Sequence, residues 1–436
     1  MDESPREDRA LSRLMVHWRT TVRSFRGRNF RLFMLGHGIS NTGMWIQQTA
    51  ELWAILELTN SGIALGLHSV LKFGPVLVFG AYGGLLSDRI NRRKLMLITQ
   101  VILLIATSLI AVAAVAGFLT LPLIYAVVFV QGMVNAVDNP LRRGFVHDLS
   151  TDEELTNALS LSSGVATMTR ILGPAIAGVL IAGLGIAWCF VINAVSFVAV
   201  LISLLMINVS ELRPSEPVPR EKAQLREGFR YAMSNRRVRV TLAMVTILSV
   251  FAWNWHAILP IYTTDVLDGD AGLFGFLVST MSLGSFVGAI VSARMEKVAG
   301  RHLVWAGFAI SGAMLTLALA PGIAASIAGL LLLGAAGTTF VVASQARIQL
   351  NSGKEMIGRM MSLFTIGWQG SRPLGAMLAG VIIDVRGPRY AFGLGFVVVA
   401  LTSLATAFRG PGREVRAPGQ PIFRRSQPRS GPGERT

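Results

Sequence analysis

Long apolar runs separated by short polar breaks fill most of this 436-residue chain. A helix of about 20 largely apolar residues crosses the hydrocarbon core of a bilayer, and the runs have about that length. They predict an all-α membrane protein with twelve transmembrane helices, within a few residues of 33–58, 62–86, 94–116, 121–141, 160–183, 186–208, 240–263, 273–293, 302–320, 323–344, 361–383 and 389–408.

The segments outside these runs divide the chain further. Residues 1–27 place apolar side chains at helical spacing among arginines, which predicts a basic amphipathic segment on the inner leaflet. Residues 209–239 predict a cytoplasmic linker that contains a second interfacial helix. Residues 409–436 are rich in Arg, Pro and Gly, and a tail of this composition is expected to be disordered. Two helical units remain, at 28–208 and 240–408.

The composition excludes a soluble protein. Hydrophobic residues make up 52% of the chain and charged residues only 15%, against about 25% charged residues in soluble domains. The net charge of +16 is better explained by basic loops that face anionic lipid than by nucleic-acid binding. The single cysteine, Cys189, excludes an intramolecular disulfide.

Basic residues concentrate in alternate loops. They follow the second, fourth, eighth and tenth predicted spans and precede the first and seventh, whereas the loops around Asn60, Thr120, Gly185 and Gly322 carry none. Cytoplasmic loops of membrane proteins carry the excess of Lys and Arg. Both termini are therefore predicted to be cytoplasmic, although Arg386 and Arg389 break the pattern.

An internal repeat links the two helical units. Residues 170–181 match residues 372–383 without a gap, with Arg170 aligned to Arg372 and Gly173 aligned to Gly375. The fifth and eleventh spans are therefore predicted to be equivalent, so that a six-helix unit is used twice. Repeats of this kind place a binding site between the halves near the middle of the membrane.

The loop after the second span reads Gly84-Leu-Leu-Ser-Asp88-Arg89-Ile-Asn91-Arg92-Arg93-Lys94. This segment resembles the loop 2–3 motif of the major facilitator superfamily, G-x-L-x-D-R-x-G-R-R, with Asn91 where the pattern has glycine; Asn also tolerates a left-handed backbone. The resemblance implies the major facilitator fold of two pseudo-symmetric halves and a motif that helps to close the cytoplasmic side. Asp138 and Arg142 are interpreted as a structural clamp near that mouth rather than as substrate contacts. The candidate latch residues are Gly84, Asp88, Arg89, Arg92, Arg93, Asp138, Arg142 and Arg359.

Further segments, among them 138–142, 170–174, 193–197 and 358–363, resemble the branch that contains the enterobactin exporter, macrolide-efflux proteins and transmembrane secretion effectors. Within the fifth span, three residues resemble part of the signature of drug:proton antiporters, which implies an export cycle. Simple tight packing of helices is the alternative interpretation, because small residues let helices approach and proline bends them. These residues are Gly173, Pro174 and Gly178.

Polar residues inside the predicted spans are the candidates for function. A charge at the centre of a bilayer costs at least about 2.5–3.5 kcal/mol, so it is expected to face a wet cavity or a partner. The third, sixth, ninth and twelfth spans have no charge in their interiors, and in the family these four lie outside, against lipid. The candidates for a substrate or proton pathway are His37, Asn41, Gln48, Glu51, His68, Lys72, Gln131, Asn135, Arg170, Asn254 and Arg372.

For two pairs of these candidates, the sequence predicts how the two side chains are arranged. Glu51 and Lys72 lie at similar depth on neighbouring spans, which makes an ion pair plausible and makes the Glu51 carboxyl group a candidate proton carrier. For Arg170 and Arg372, hydrogen bonds to backbone across the domain interface and a role in the cavity both remain open. A structure is expected to relate these two arginines by the axis of the repeat.

The chain contains no phosphate-binding loop, nucleophile motif or metal cluster, so no enzyme activity, metal or other cofactor is predicted. The leading hypothesis is proton-coupled export of an amphiphilic small molecule, such as a drug, a siderophore or a lipid-like metabolite. We expect a multi-pass monomer in the plasma (inner) membrane whose partners are this substrate, protons and lipids, and not nucleic acid. A uniporter or importer of a polar solute, and a receptor or assembly partner that does not transport, remain alternatives.

Overall fold

A computed structural model describes residues 23–151, 153–213, 224–295, 297–298, 300–408 and 415–416. The amphipathic segment predicted at residues 1–27 lies outside the described residues except for residues 23–27, which include a short 3-10 turn at Arg23–Arg26. Nearly all of the tail predicted to be disordered, at residues 409–436, also lies outside them.

The described chain is almost entirely helical. Two-residue strands β1 (Lys297–Val298) and β2 (Val415–Arg416) pair antiparallel. The α-helices are α1 (Arg28–Thr59), α2 (Gly62–Arg89), α3 (Arg92–Val115), α4 (Leu121–Asp148), α5 (Leu155–Leu184), α6 (Ala187–Leu205), α7 (Gln224–Ser234), α8 (Arg236–Ala252), α9 (Trp255–Leu267), α10 (Ala271–Ala293), α11 (Gly300–Leu319), α12 (Ile323–Leu350), α13 (Ile357–Thr365), α14 (Arg372–Arg386) and α15 (Pro388–Phe408).

Ten helical segments in the described part of the chain are long and apolar enough to cross a membrane, with α8 and α9 taken together as one. Two of the twelve predicted spans are not among the ten, so the number twelve stays a prediction. The first of these, α1, buries several polar side chains, among them His37, Asn41, Gln48 and Glu51. The other, the eleventh predicted span, is divided into α13 and α14 by a π-helical turn at Ile366–Gly370.

Short polar side chains set several helix starts. Ser61 accepts a hydrogen bond from the backbone N–H of Ala64 at the start of α2, and Asn91 accepts one from the N–H of Lys94 at the start of α3. Asn91 does not use the left-handed backbone that its side chain would tolerate, since its φ is −52°. As an N-cap residue it needs an extended rather than a left-handed conformation.

Apolar side chains cover much of the outside of the bundle. Val112 on α3, Leu205 on α6, Trp305 on α11 and Leu401 on α15 are each at least 60% exposed. A soluble protein does not expose apolar side chains on this scale, whereas a helix bundle in lipid does so without cost. These four helices correspond to the third, sixth, ninth and twelfth predicted spans.

The helices of residues 28–205 pack closely against those of residues 236–408 at one end of the bundle. We call this the Asn60 end, because the turn between α1 and α2 lies there. A Cβ atom built on Gly62 would lie 2.7 Å from the carbonyl oxygen of Gly380, and one on Gly178 would lie 3.0 Å from that of Gly272. Only glycine allows backbones to approach this closely.

Candidate functional site

A central cavity of about 270 Å³ is lined by residues from both sets of helices. Five of the residues predicted from the sequence line it, namely Gln48 on α1, Lys72 on α2, Asn135 on α4, Arg170 on α5 and Arg372 on α14. Parallel repeats were expected to place a binding site between the two sets. This cavity is therefore the candidate site.

Arg170 and Arg372 reach the cavity from opposite sets of helices. The guanidinium carbon of Arg372 lies 5.3 Å from the ring centres of both Phe73 and Trp368, at a distance typical of cation–π contacts. The Nε atoms of both arginines are buried without a hydrogen-bond partner among the described residues. The structure thus brings the two repeat-related arginines into one cavity.

Aromatic side chains form an apolar part of the same wall. The seventh predicted span is interrupted at Trp253 and Asn254, where α8 ends and α9 begins. Trp253 lies 5.2 Å from Trp368 between ring centres, and Trp255 stacks on His256 at 3.6 Å. Trp253, Trp255 and His256 line the cavity, so this break in the helix directs three rings towards it. Asn254 itself donates to the carbonyl oxygen of Val250.

Glu51 lies behind the cavity wall, with none of its surface exposed. Its Oε2 atom is 3.7 Å from the Nζ atom of Lys72 and 3.1 Å from the Nε2 atom of His68. Lys72 lines the cavity and so connects Glu51 to it. A buried carboxylate is stable only when it is paired and hydrogen-bonded, and both conditions are met here.

Amide side chains complete the surroundings of Glu51. The Oε1 atom of Glu51 accepts hydrogen bonds from Gln131 at 2.7 Å and from Gln47 at 2.8 Å. Gln47 in turn accepts from Thr107 at 3.1 Å and from Asn193 at 2.5 Å. Gln47, Thr107 and Asn193 were not predicted from the sequence. The only signal for Gln47 was its position one helical turn before Glu51.

A second polar cluster joins α1, α3 and α4. Asp138 pairs with Arg142, whose guanidinium also contacts His37. Asp138 further accepts hydrogen bonds from Thr99 at 3.1 Å and from Gln100 at 3.2 Å. All of these contacts lie within the first set of helices, as in a clamp that holds that set together. Neighbouring Asn41, one turn after His37, donates to the hydroxyl of Thr169 on α5.

The candidate latch is only partly described. The surroundings of Gly84 and the side chains of Asp88 and Arg89 lie outside the part of the chain that the structure describes. Arg92 pairs with Asp148 at 2.5 Å, and Arg93 donates to the carbonyl oxygen of Leu204 at 2.9 Å. Both contacts fall within the first set of helices.

Arg359 belongs to the second set of helices and contacts the linker. Its Nη1 atom lies 2.6 Å from the Oε2 atom of Glu227 on α7. Arg359 therefore ties α13 to the linker helix, a contact that its sequence motif did not suggest.

The residues that resemble an antiporter signature pack helices together. A Cβ atom on Gly173 would collide with Trp45 on α1, while Gly178 faces the backbone of Ala271 and Gly272 on α10. Gly178 thus lies where the two sets of helices meet at the Asn60 end.

The chain is similar in sequence to a family model and to proteins named as transporters or exporters. A family model described as transmembrane secretion effector matches residues 19–416. The chain is 23% identical to the staphyloferrin A transporter of Staphylococcus aureus, over 79% of this chain and 87% of that protein. It is 22% identical to macrolide efflux protein A of Streptococcus pyogenes, over 83% of this chain and 91% of that protein. It is 24% identical to the enterobactin exporter EntS of Shigella flexneri, over 86% of this chain and 90% of that protein.

Solved structures of transporters share the fold. The nucleoside transporter NupG superposes with a TM-score of 0.72 at 11% identity, over 87% of this chain and 99% of that one. A bacterial homologue of the iron transporter ferroportin, in an inward-facing state, gives a TM-score of 0.67 at 16% identity, over 87% and 98%. At these identities the likeness concerns the fold alone.

Proposed function

Because the chain belongs to the transmembrane secretion effector family of the major facilitator superfamily, we propose that this membrane transporter exports an amphiphilic small molecule in exchange for protons. The observation that carries the proposal is the cavity between the two sets of helices, which combines cationic side chains with the rings of Trp253 and Trp255. A mostly apolar pocket with a few placed polar groups suits an amphiphile.

The relatives support the export direction. Two of the three similar proteins described above are named as an efflux protein and an exporter, and the third as a transporter of a siderophore. The alternatives of a uniporter or importer of a polar solute find less support in a cavity with several aromatic rings.

The proposed architecture is twelve spans in two halves, at 28–208 and 240–408, with both termini in the cytoplasm. The distribution of basic loops supports an orientation in which the Asn60 end lies outside the cell. On this assignment the close packing at Gly62 and Gly178 closes the outer side of the cavity. Alternating access then requires these contacts to separate when the substrate leaves.

Glu51 is the proposed proton carrier. Its position behind Lys72 keeps it away from the substrate and leaves its carboxylate in contact with a cation that lines the cavity. A proton on Glu51 would remove the negative charge that Lys72 faces. The return of the empty transporter would then carry a proton inwards, and its release would restore the ion pair before the next substrate binds.

Reconstitution into liposomes tests this proposal. The purified protein is given a pH gradient and a series of naphthalene derivatives that carry an anionic, a neutral or a cationic group. We expect uphill movement of at least one derivative in the native protein, and its loss in Glu51→Gln with downhill movement retained.

The matched control is Glu57→Gln on the same helix, where the carboxylate is exposed and accepts a hydrogen bond from Trp53. It should transport like the native protein. Unchanged uphill transport in Glu51→Gln would remove Glu51 from the proposal, and the absence of any pH-dependent flux in the native protein would remove proton coupling altogether.

A further inference from the structure

The charges that line the central cavity are unbalanced. Three lining residues carry a positive charge, namely Lys72, Arg170 and Arg372, and no described lining residue is an aspartate or glutamate. Lys72 has its counter-charge in Glu51 at 3.7 Å. No carboxylate lies within ion-pair distance of either arginine among the residues that the structure describes. Two guanidinium groups therefore face the cavity without a partner charge.

Hydrogen-bonding capacity is unused at the same two residues. The Nε–H of each arginine is buried and has no acceptor in the described part of the chain. A buried donor without an acceptor is costly, and more so when it is charged. A guanidinium group presents its N–H donors in a planar fork that matches a carboxylate, sulfonate or phosphate.

The stacking of Arg372 leaves this fork available. Phe73 and Trp368 each lie 5.3 Å from its guanidinium carbon. Such contacts use the face of the guanidinium group, whereas its donors point outwards in its plane. The two rings hold the side chain in position without taking up its hydrogen bonds.

We propose that the transported molecule is an organic anion whose charged group binds between Arg170 and Arg372, while its apolar body packs against Trp253 and Trp255. This inference rests on the proposed function above for its transport role. The two arginines come from opposite sets of helices, α5 and α14, so the anion bridges both sets. Lys72 stays with Glu51 and leaves the two guanidinium groups to the substrate.

Binding of two matched probes tests the proposal. Naphthoate and naphthamide share one ring system and differ in whether the polar group is an anion or neutral. Isothermal titration of the full-length protein at neutral pH should show naphthoate binding at least about tenfold more tightly, as expected for charge-assisted hydrogen bonds to a guanidinium group. Arg170→Gln and Arg372→Gln should each remove about that factor for naphthoate and leave naphthamide unchanged.

Two further variants separate the proposal from a loss of folding. Arg372→Lys keeps the charge and loses the fork, so it should bind naphthoate with an intermediate affinity. The matched control is Arg386→Gln, an exposed arginine on the same helix, which should bind both probes like the native protein. If Arg170→Gln does not fold, Arg170→Lys takes its place with the same intermediate expectation.

The proposal is overturned if naphthoate binds no more tightly than naphthamide, including the case in which neither binds. An equal loss of both probes in the arginine variants also overturns it. Flux in liposomes separates this failure from that of the proposed function. Uphill movement of the neutral or cationic derivative without the anion would leave export standing and reject the anion site. Arginine-dependent binding of naphthoate without flux of any derivative would keep the site and reject export.

Discussion

The carboxylate of Asp384, near the end of α14, accepts a hydrogen bond of 2.5 Å from the backbone N–H of Gly62 at the start of α2. The same carboxylate accepts from the N–H of Ile63 at 3.2 Å and from the hydroxyl of Ser61 at 2.8 Å. The first N–H groups of a helix lack partners within it and favour a negative charge. Asp384 thus caps a helix of the other set and joins the two sets at the Asn60 end.

Asp384→Asn is expected to favour opening of the Asn60 end. Loss of the charge at a helix N-terminus costs about 0.3–1 kcal/mol, which shifts a two-state equilibrium up to about fivefold. Nitroxide labels on exposed Thr120 and Ala324, one in each set, report the opening as a larger fraction of long distances.

The control for this measurement is Asp265→Asn, an exposed aspartate near the same end that interacts with its neighbour Thr264. It should leave the distance distribution unchanged. Identical distributions for Asp384→Asn and the native protein would show that the cap does not contribute to closure.

Gly178→Val should also open the Asn60 end. The added side chain would meet the backbone of Ala271 and Gly272 at about 3.0 Å from Cβ, and backbone atoms cannot turn away as a flexible side chain can. Gly183→Val on the same helix is the matched control, because nothing lies within 4 Å of a Cβ atom there. Both variants carry the same cost of a β-branched residue in a helix. Distances between the labels on Thr120 and Ala324 that change equally in both variants would contradict the packing role of Gly178.

Most of the helices could be predicted from the sequence because a helix that crosses a membrane needs only a run of apolar residues of sufficient length. The points at which a span is interrupted could not be predicted, since they depend on contacts between distant segments of the chain. At the π-helical turn Ile366–Gly370, the carbonyl oxygen of Trp368 accepts a hydrogen bond of 2.5 Å from the hydroxyl of Ser249 on α8. This partner compensates for an irregular backbone inside the bundle, and no local pattern around residue 368 indicates it.

The charged residues of the candidate site could be predicted from the sequence, whereas some of their uncharged partners could not. Glu51, Lys72, Arg170 and Arg372 stood out because charges inside apolar runs are costly. Gln47 did not stand out, since its spacing of one helical turn from Glu51 was its only signal and its other partners belong to distant helices. The role of Gln47 therefore became visible only in the structure, where these partners surround it.

Asp138→Asn is expected to destabilise the protein through Arg142. Removal of one partner of a buried ion pair costs about 3–5 kcal/mol because it leaves the other charge uncompensated. The cost should be lower here, since the Arg142 side chain remains 18% exposed. The apparent Tm should fall in Asp138→Asn and recover in part in the double variant Asp138→Asn, Arg142→Gln.

Transport by the double variant then separates a clamp from a substrate contact. A clamp predicts that transport recovers together with the Tm. Recovered stability without recovered transport would instead assign Asp138 or Arg142 to the pathway.

Variants of Glu51 and Lys72 can distinguish an effect on protein stability from an effect on proton coupling. Their contact at 3.7 Å is almost completely buried, so the loss of one charge should change stability clearly. Glu51→Gln leaves the ammonium group of Lys72 without its counter-charge and should lower the apparent Tm. The double variant Glu51→Gln, Lys72→Met removes both charges at similar volume and should restore most of the Tm. If Glu51 carries the proton, uphill transport driven by a pH gradient should stay absent in this double variant, since neither side chain can titrate. Return of pH-driven transport together with the Tm would show that the pair is structural, and the coupling proton would then have to bind elsewhere, with Asp138 as the next carboxylate to test.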